Sequence, residues 1–402
     1  EAVQGNAATE DPHEIKYGFY NSYLVDEGLE TEHWVHEISN VDEFKNIVDS
    51  SVHASKTTAY EYPGAHDEKT VYLVVNDIDF GGGEIWDTDE LINEVKAYPF
   101  IGKLVGKDDG VTLSNVHVTS LYSDLDDGST SCFFGRVMNA TFENLTISNC
   151  SIENTGADKA GILCAGNKTK ENAYKTLLGS EFESKYVEFK NILIDETCSV
   201  LAGENGSGVV ACLRYFTDHI SFEGCVNKAK VTATTNNVAG IVGQISNNPV
   251  DGTHTVPVTM KDCANYGEIF GDGRAVGGLV GYFCAKNGII ENCKNYGNVN
   301  HPSAGNVCGS IAGEVLTGAR YVNCYNEGLI STNGSLTDYN SENTLVLYGD
   351  KTEVSLSNKE EYLSLYKKAY TGTIIDVQID KPNTSIVVEN GQLTNGLYII
   401  EL

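Results

Sequence analysis

Short apolar runs, broken by charged residues and closed by asparagine or glycine, recur along the middle of the chain. One run appears as "LSNVHV" (113–118), "FENLTI" (142–147), "FKNILI" (189–194), "FEGCVN" (222–227), "MKDCAN" (260–265), "IENCKN" (290–295) and "YVNCYN" (321–326). A glycine-aliphatic run precedes or follows each copy: "CFFGR" (132–136), "AGILCAG" (160–166), "SGVVACL" (207–213), "AGIVGQI" (239–245), "GGLVGYF" (277–283) and "GSIAGEV" (309–315). Copies of the first run start 29, 47, 33, 38, 30 and 31 residues apart, a base period of about 30 with insertions after the second and fourth. A unit this short, made of two apolar strands and tight turns, cannot bury its own face, whereas stacked copies can.

Stacking at about 4.8 Å per coil predicts columns of like residues. The first column reads Leu113, Phe142, Phe189, Phe222, Met260, Ile290, Tyr321, and two places on come Asn115, Asn144, Asn191, Gly224, Asp262, Asn292, Asn323. Next is Val116, Leu145, Ile192, Cys225, Cys263, Cys293, Cys324; beyond it Val118, Ile147 and Ile194 give way to Asn227, Asn265, Asn295 and Asn326. Glu143, Lys190, Glu223, Lys261 and Glu291 form a column that should face solvent. In the glycine runs the third column (Ile162, Val209, Ile241, Leu279, Ile311) should point inward. The fourth (Leu163, Val210, Val242, Val280, Ala312) is apolar too, so either a corner turns there or another element covers the outer face. The predicted fold is all-β: a right-handed parallel β-helix with an N-terminal helical cap and a small C-terminal α+β cap.

Three regions follow. Residues 1–110 hold an N-terminal arm, a helix over 38–48 capped by Ser39 or Asn40, and lead-in strands; 111–331 hold the repeats; 332–402 form a C-terminal cap or small module. In the last, "NTLVLYG", "TIIDVQID", "TSIVVEN" and "GLYIIEL" read as strands and 357–370 as a helix. The chain begins at Glu1 without Met, which suggests that an upstream signal segment has been removed.

These repeats resemble the bacterial GLUG motif (Gly-Leu-Uncharged-Gly), as in Gly278-Leu279-Val280-Gly281 and Gly240-Ile241-Val242-Gly243. The lead-in "TVYLVVNDIDF" (70–80), Trp86, "PFIGKLVG" (99–106) and "VTLSNVHV" (111–118) is similar to the stretch such proteins carry before their repeats. "AGILCAG", "SGVVACL" and "GSIAGEV" depart from the motif. The resemblance implies a secreted or surface-exposed, adhesin-like bacterial protein, and no single activity.

Composition narrows the partners. With 27 Lys plus Arg against 56 Asp plus Glu, the formal net charge of −29 disfavours nucleic acid and anionic membrane. No apolar run approaches the length of a membrane span. Eleven cysteines are an odd number, so at least one is unpaired within the monomer. No Cys-x2-Cys spacing suggests a metal, and parallel Cβ vectors one coil apart suit a disulfide poorly, so Cys263, Cys293 and Cys324 read as buried free thiols. A pair among Cys164, Cys212, Cys284 and Cys308 stays open.

Catalytic candidates are few. "HEIKY" (13–17) and "HEISN" (36–40) lack the second histidine of a zinc-protease helix. Some large proteases carry GLUG repeats, and this lack implies that the chain is not their catalytic part. Asp77/Asp79, Asp108/Asp109 and Asp124/Asp126/Asp127 are carboxylate pairs expected by chance in so acidic a chain. "DLDDGS" (124–129) lacks the later Glu of a calcium loop, and "GGG" (81–83) lacks the Lys of a phosphate loop. Sequons at Asn139, Asn144, Asn149, Asn167, Asn205, Asn333 and Asn383 matter only in a eukaryotic source, and Asn144 sits in a ladder. No catalytic, cofactor-binding or metal-ligating residue is assigned.

The expected function is therefore a non-enzymatic secreted or cell-surface solenoid for adhesion, glycan or protein binding, or assembly. A carbohydrate-active β-helix enzyme and an extracellular filament subunit are the alternatives. The insertions at 167–185 and 246–257 are the expected interaction face.

Overall fold

Each repeat folds into one coil whose strands pair in parallel with those of the coils before and after. In one coil, Val258–Lys261, Ala264–Asn265 and Ile269–Gly271 belong to a first sheet, Ala275–Gly277 to a second and Val280–Cys284 to a third. The structure, a computed structural model, describes residues 34–52, 70–85, 99–107, 110–119, 122–124, 128–156, 158–167, 183–214, 216–246, 256–285, 288–315, 319–337, 346–348 and 354–356. It is a right-handed parallel β-solenoid of about six turns. The chain divides into two units, Glu1–Ser357 and Asn358–Leu402, and every described residue lies in the first. Among the described residues no helix is long and apolar enough to cross a membrane.

The columns from Phe142 onward stack as the spacing predicts. Phe142 pairs with Phe189, Phe189 with Phe222, Phe222 with Met260, Met260 with Ile290 and Ile290 with Tyr321. The rings of Phe142, Phe189 and Phe222 lie nearly parallel at 5.3 and 4.9 Å. Outside, Glu143, Lys190, Glu223, Lys261 and Glu291 pair in register and alternate in sign at each step. Cross-strand pairs of opposite charge are each worth about 0.2–1 kcal/mol.

The first copy sits in a different register from the one its sequence suggests. Leu113 pairs with Ile147, five residues beyond Phe142, and Leu104 takes the place above Phe142. The reason is an 18-residue strand, Val137–Asn154, that spans two strand positions of its coil and carries left-handed asparagines at 139, 144 and 149. Any of the three gives a plausible match to Asn115, and Asn149 makes it, donating to Asn115 Oδ1 at 2.5 Å. A second shift is by one residue. Ala160 pairs with Gly206, so Leu163, not Ile162, aligns with Val209.

The two asparagine columns do different work. Asn144, Asn191, Asp262, Asn292 and Asn323 have φ between 52 and 55°, and Gly224 has 62°. They are left-handed corner residues, a conformation that asparagine and glycine tolerate best. Gly224 also lacks room for a side chain, since a Cβ there would lie 2.6 Å from Asn191 Oδ1. By contrast Asn227, Asn265, Asn295 and Asn326 are fully buried. The first three donate through Nδ2 to the next one's Oδ1 at 2.8, 2.8 and 2.7 Å, and all four donate to the carbonyl two residues on, as Asn265 does to Gly267 at 2.9 Å. A buried amide is tolerable only when bonded in this way.

The apolar fourth column is explained by a corner. The second sheet ends at Ala239, Gly277 and Gly309, and the third begins at Val242, Val280 and Ala312. Ile241, Leu279 and Ile311 turn the corner with their side chains fully buried, as are those of Val242, Val280 and Ala312.

At the N-terminal side, Trp34–Ile38 is a strand paired with Thr70–Val74, and a helix follows at Val41–Val52. Asn40 Oδ1 accepts the Glu43 N–H at 3.0 Å, and Glu43 accepts from Ser39 N at 2.7 Å, a reciprocal cap. Phe44, Ile47 and Val48 are buried, with Phe44 edge-on to Phe80 at 5.5 Å and Phe134 at 6.0 Å. Within "NTLVLYG", Val346–Tyr348 is a strand paired with Cys324–Asn326. The helix read at 357–370 and the later strands lie outside the described residues.

Candidate functional site

The carboxylates singled out in the sequence hold turns. Asp77 Oδ1 accepts the Thr112 N–H at 2.7 Å, and Asp79 Oδ1 accepts from Asn115 Nδ2 at 2.7 Å and Gly81 N at 2.8 Å. These bonds, Asn115's first, hold the Asp79 carboxyl below its ordinary value. Gly81 and Gly82 have φ of 67 and 80° in that same turn. Asp108, Asp109, Asp126 and Asp127 lie outside the described residues, as do His13 and Leu125, while Asp124 pairs antiparallel with Gly128. His36 lies in a strand, buried and stacked on Tyr72 at 5.5 Å. Asn139 is spent at a corner, donating to Glu183 O at 2.9 Å and accepting from Lys185 N at 2.7 Å. All eleven cysteines, Cys164, Cys212, Cys284 and Cys308 among them, are buried thiols. Burial pushes the thiols of Cys132 and Cys198 up to about 12. Among the described residues no group of three His, Cys, Asp or Glu is placed to hold a metal.

A polar cluster that the sequence does not reveal lies on the outside of the first sheet. Tyr186 pairs with His219 and Glu188 with Ser221 on adjacent coils, so the outward side chains of strands 33 residues apart converge. His219 Nε2 lies 2.9 Å from Glu188 Oε1, and Lys190 Nζ lies 3.1 Å from Glu188 Oε2. Thr141 Oγ1 donates to Glu188 Oε2 at 3.1 Å, and the His219 and Tyr186 rings stack at 5.4 Å. Asp218 Oδ2 is 3.4 Å from His219 Nδ1. Since an ionised carboxylate only accepts, His219 Nε2 carries the hydrogen toward Glu188. Burial raises the Glu188 carboxyl, but the His219 bond, then the Lys190 charge, outweigh it and leave the group below its ordinary value.

This cluster sits where both insertions rejoin the first sheet. The described flank of one runs through Ser184 and Lys185 into Tyr186; the flank of the other ends at Val256 and Pro257, whose carbonyl accepts from Ile220 N at 3.0 Å beside His219. Residues 168–182 and 247–255, the bulk of both insertions, lie outside the described residues.

A second departure from the scaffold is aromatic. Tyr266 is 51% exposed and stacks on Tyr296 with ring centres 4.7 Å apart; Tyr296 meets Tyr325 edge-on at 6.3 Å. Tyr325 is held by its hydroxyl, which donates to Glu327 Oε1 at 2.5 Å. These tyrosines lie on or beside the short middle strands of successive coils, so a rigid ladder presents them.

No protein-family model matches the chain, and no curated protein does. Among solved structures, a crystal structure from Bacteroides ovatus described as a putative immunoglobulin A1 protease is similar, with a TM-score of 0.53 and 18% sequence identity over 82% of this chain and 86% of that one. At that identity the likeness concerns the fold, and the fold they share is the parallel β-solenoid.

Proposed function

We propose that the chain is a secreted or cell-surface solenoid of GLUG-repeat type that acts without catalysis, binding an extracellular glycan or protein in adhesion or surface assembly. The observation that carries this reading is the tyrosine pair Tyr266–Tyr296. Large aromatic side chains open to water on a rigid scaffold are a common mark of an interaction surface. The test is retention of the purified chain on mucin- and polysaccharide-coated surfaces. Retention that the double substitution Tyr266→Ser, Tyr296→Ser abolishes supports the reading; retention unchanged by it removes the observation's weight.

The Glu188–His219–Asp218 arrangement favours one second reading, a carbohydrate-active enzyme in which Glu188 and His219 exchange protons with substrate. Release of new reducing ends or unsaturated sugars from any polysaccharide, lost in Glu188→Gln, would establish it and sink the first.

A further inference from the structure

The second and third sheets meet along a line of polar side chains that the repeat alone does not demand. In the second sheet Lys159, Asn205 and Asn237 stack in register, 2, 2 and 4% exposed. Asn205 Nδ2 donates to the Asp158 carbonyl at 3.3 Å. Asn237 Nδ2 donates to Asn205 Oδ1 at 3.0 Å and, across to the third sheet, to Gln244 Oε1 at 3.4 Å. Gln244 is 5% exposed and pairs with Cys212 on one side and Tyr282 on the other. Asn237 Oδ1 is buried and accepts no hydrogen bond.

One coil further on, the seam reaches solvent. Arg274 Nε and Nη2 donate to the two carboxylate oxygens of Glu314, both at 2.8 Å, and its guanidinium carbon lies 4.6 Å from the Tyr282 ring centre. Tyr282 pairs with Glu314, and the Arg274 and Glu314 side chains are 55 and 30% exposed.

We infer that this mouth, formed by Arg274, Tyr282 and Glu314 and backed by the amides of Asn237 and Gln244, is a binding site for a neutral oligosaccharide. A guanidinium has five N–H donors; the fork to Glu314 uses two, the Tyr282 side chain is a further partner, and the carboxylate and the ring fix the direction of those that remain. Side chains already held in place lose little freedom when a ligand arrives. Glu314 cancels the Arg274 charge locally, and the net charge of −29 repels polyanions, so an acidic glycan is disfavoured. The site offers donors on Arg274 and acceptors on Glu314. A hydroxyl serves both, since it donates and accepts, and a sugar ring supplies hydroxyls in adjacent pairs. The inference rests on the glycan-binding reading above but uses other sheets than the Tyr266–Tyr296 pair and the Glu188–His219 cluster, so loss at Arg274 and loss at Tyr266 are distinguishable.

Titration calorimetry of the full chain with oligosaccharides from cellulose, laminarin, xylan and mannan, and with oligogalacturonate, tests this. At least one neutral oligosaccharide should bind. Its affinity should fall about tenfold or more in Arg274→Ala and in Arg274→Lys, which keeps the charge but not the fork, and change less than about twofold in Lys261→Ala, on the outer face of the first sheet. Circular dichroism identifies any variant that fails to fold, and the lysine form then carries the comparison. No binding of any neutral oligosaccharide, binding equal in wild type and Arg274→Lys, binding lost equally in Lys261→Ala, or binding of oligogalacturonate alone would each overturn the inference.

Discussion

A Cβ placed on Gly240 would lie 2.3 Å from Oδ1 of Asn265. The motif glycine and the ladder asparagine are thus two halves of one steric constraint. It recurs at Gly208 with Asn227 Oδ1, 2.2 Å, and at Gly278 with Asn295 Oδ1, 2.7 Å. One coil before Gly208 the glycine position is Ile162 and the asparagine position is Ile194, so the pair changes together from small-and-polar to apolar-and-apolar. Gly240→Ala should therefore lower stability by about 1–3 kcal/mol. Urea unfolding reads this directly, and an unchanged midpoint would contradict it.

That pairing shows what the sequence could and could not disclose. Identical side chains at a 30-residue spacing betray stacking, and from Phe142 onward the columns were legible because each coil beyond it carries one left-handed corner, at Asn191, Gly224, Asp262, Asn292 and Asn323. They failed at Leu113, where Asn139, Asn144 and Asn149 offer three corners five residues apart, all left-handed. They failed by one residue at "AGILCAG", whose Gly161 resembles the motif glycine although Ile162 holds that place. Two asparagine columns looked alike in sequence, yet one serves backbone conformation and the other buried hydrogen bonding. The Glu188–His219 contact was illegible, because only the register of neighbouring coils brings residues 31 apart within 2.9 Å.

Asn295→Asp tests the buried ladder's donors. Asn295 Nδ2 donates to Gly297 O at 2.8 Å and Asn326 Oδ1 at 2.7 Å, and a carboxylate would face both acceptors without a hydrogen. Burial raises such a group's folded pKa above its unfolded value of about 3.9, so the variant is favoured at low pH and penalised as pH rises. Relative to wild type, its melting temperature should drop further at pH 7 than at pH 4. An equal drop at both would contradict the burial argument.

His301 is fully buried, with Nε2 2.9 Å from Gly273 O and Nδ1 3.0 Å from Thr332 Oγ1. The carbonyl only accepts, so the hydrogen is on Nε2 and Thr332 donates to Nδ1. Burial lowers its pKa, opposed by the Gly273 bond and the nearby Asp272. Below about pH 6.5 the unfolded histidine takes up a proton that the folded one refuses, so stability falls as pH drops through that value toward the lowered folded pKa. His301→Gln should flatten the melting-temperature profile between pH 8 and 5. A profile of unchanged slope would assign the loss to other groups.

The cysteines should be silent. Cys293 is buried, and its Sγ lies 3.2 Å from Glu291 O and 3.6 Å from Met260 O. Burial raises the Cys263 thiol well above its ordinary value, and the thiolate is the reactive form. A colorimetric thiol reagent should label none of the eleven in the native chain and all eleven in denaturant. Fast labelling of native protein would mean that coils open locally.

The most direct test of the stacked scaffold is a double-mutant cycle on Gly240→Ala and Asn265→Ala in urea. Each single change should destabilise: the first by steric conflict, the second by leaving Asn295 Oδ1 without its donor. A methyl group at position 240 would strike Asn265 Oδ1 at 2.3 Å and Gly278 O at 2.6 Å, and Asn265→Ala removes the nearer of the two, so the double variant should cost less than the sum by about 1 kcal/mol. Strictly additive losses would contradict the account, for they would mean that glycine and asparagine do not meet across the coil.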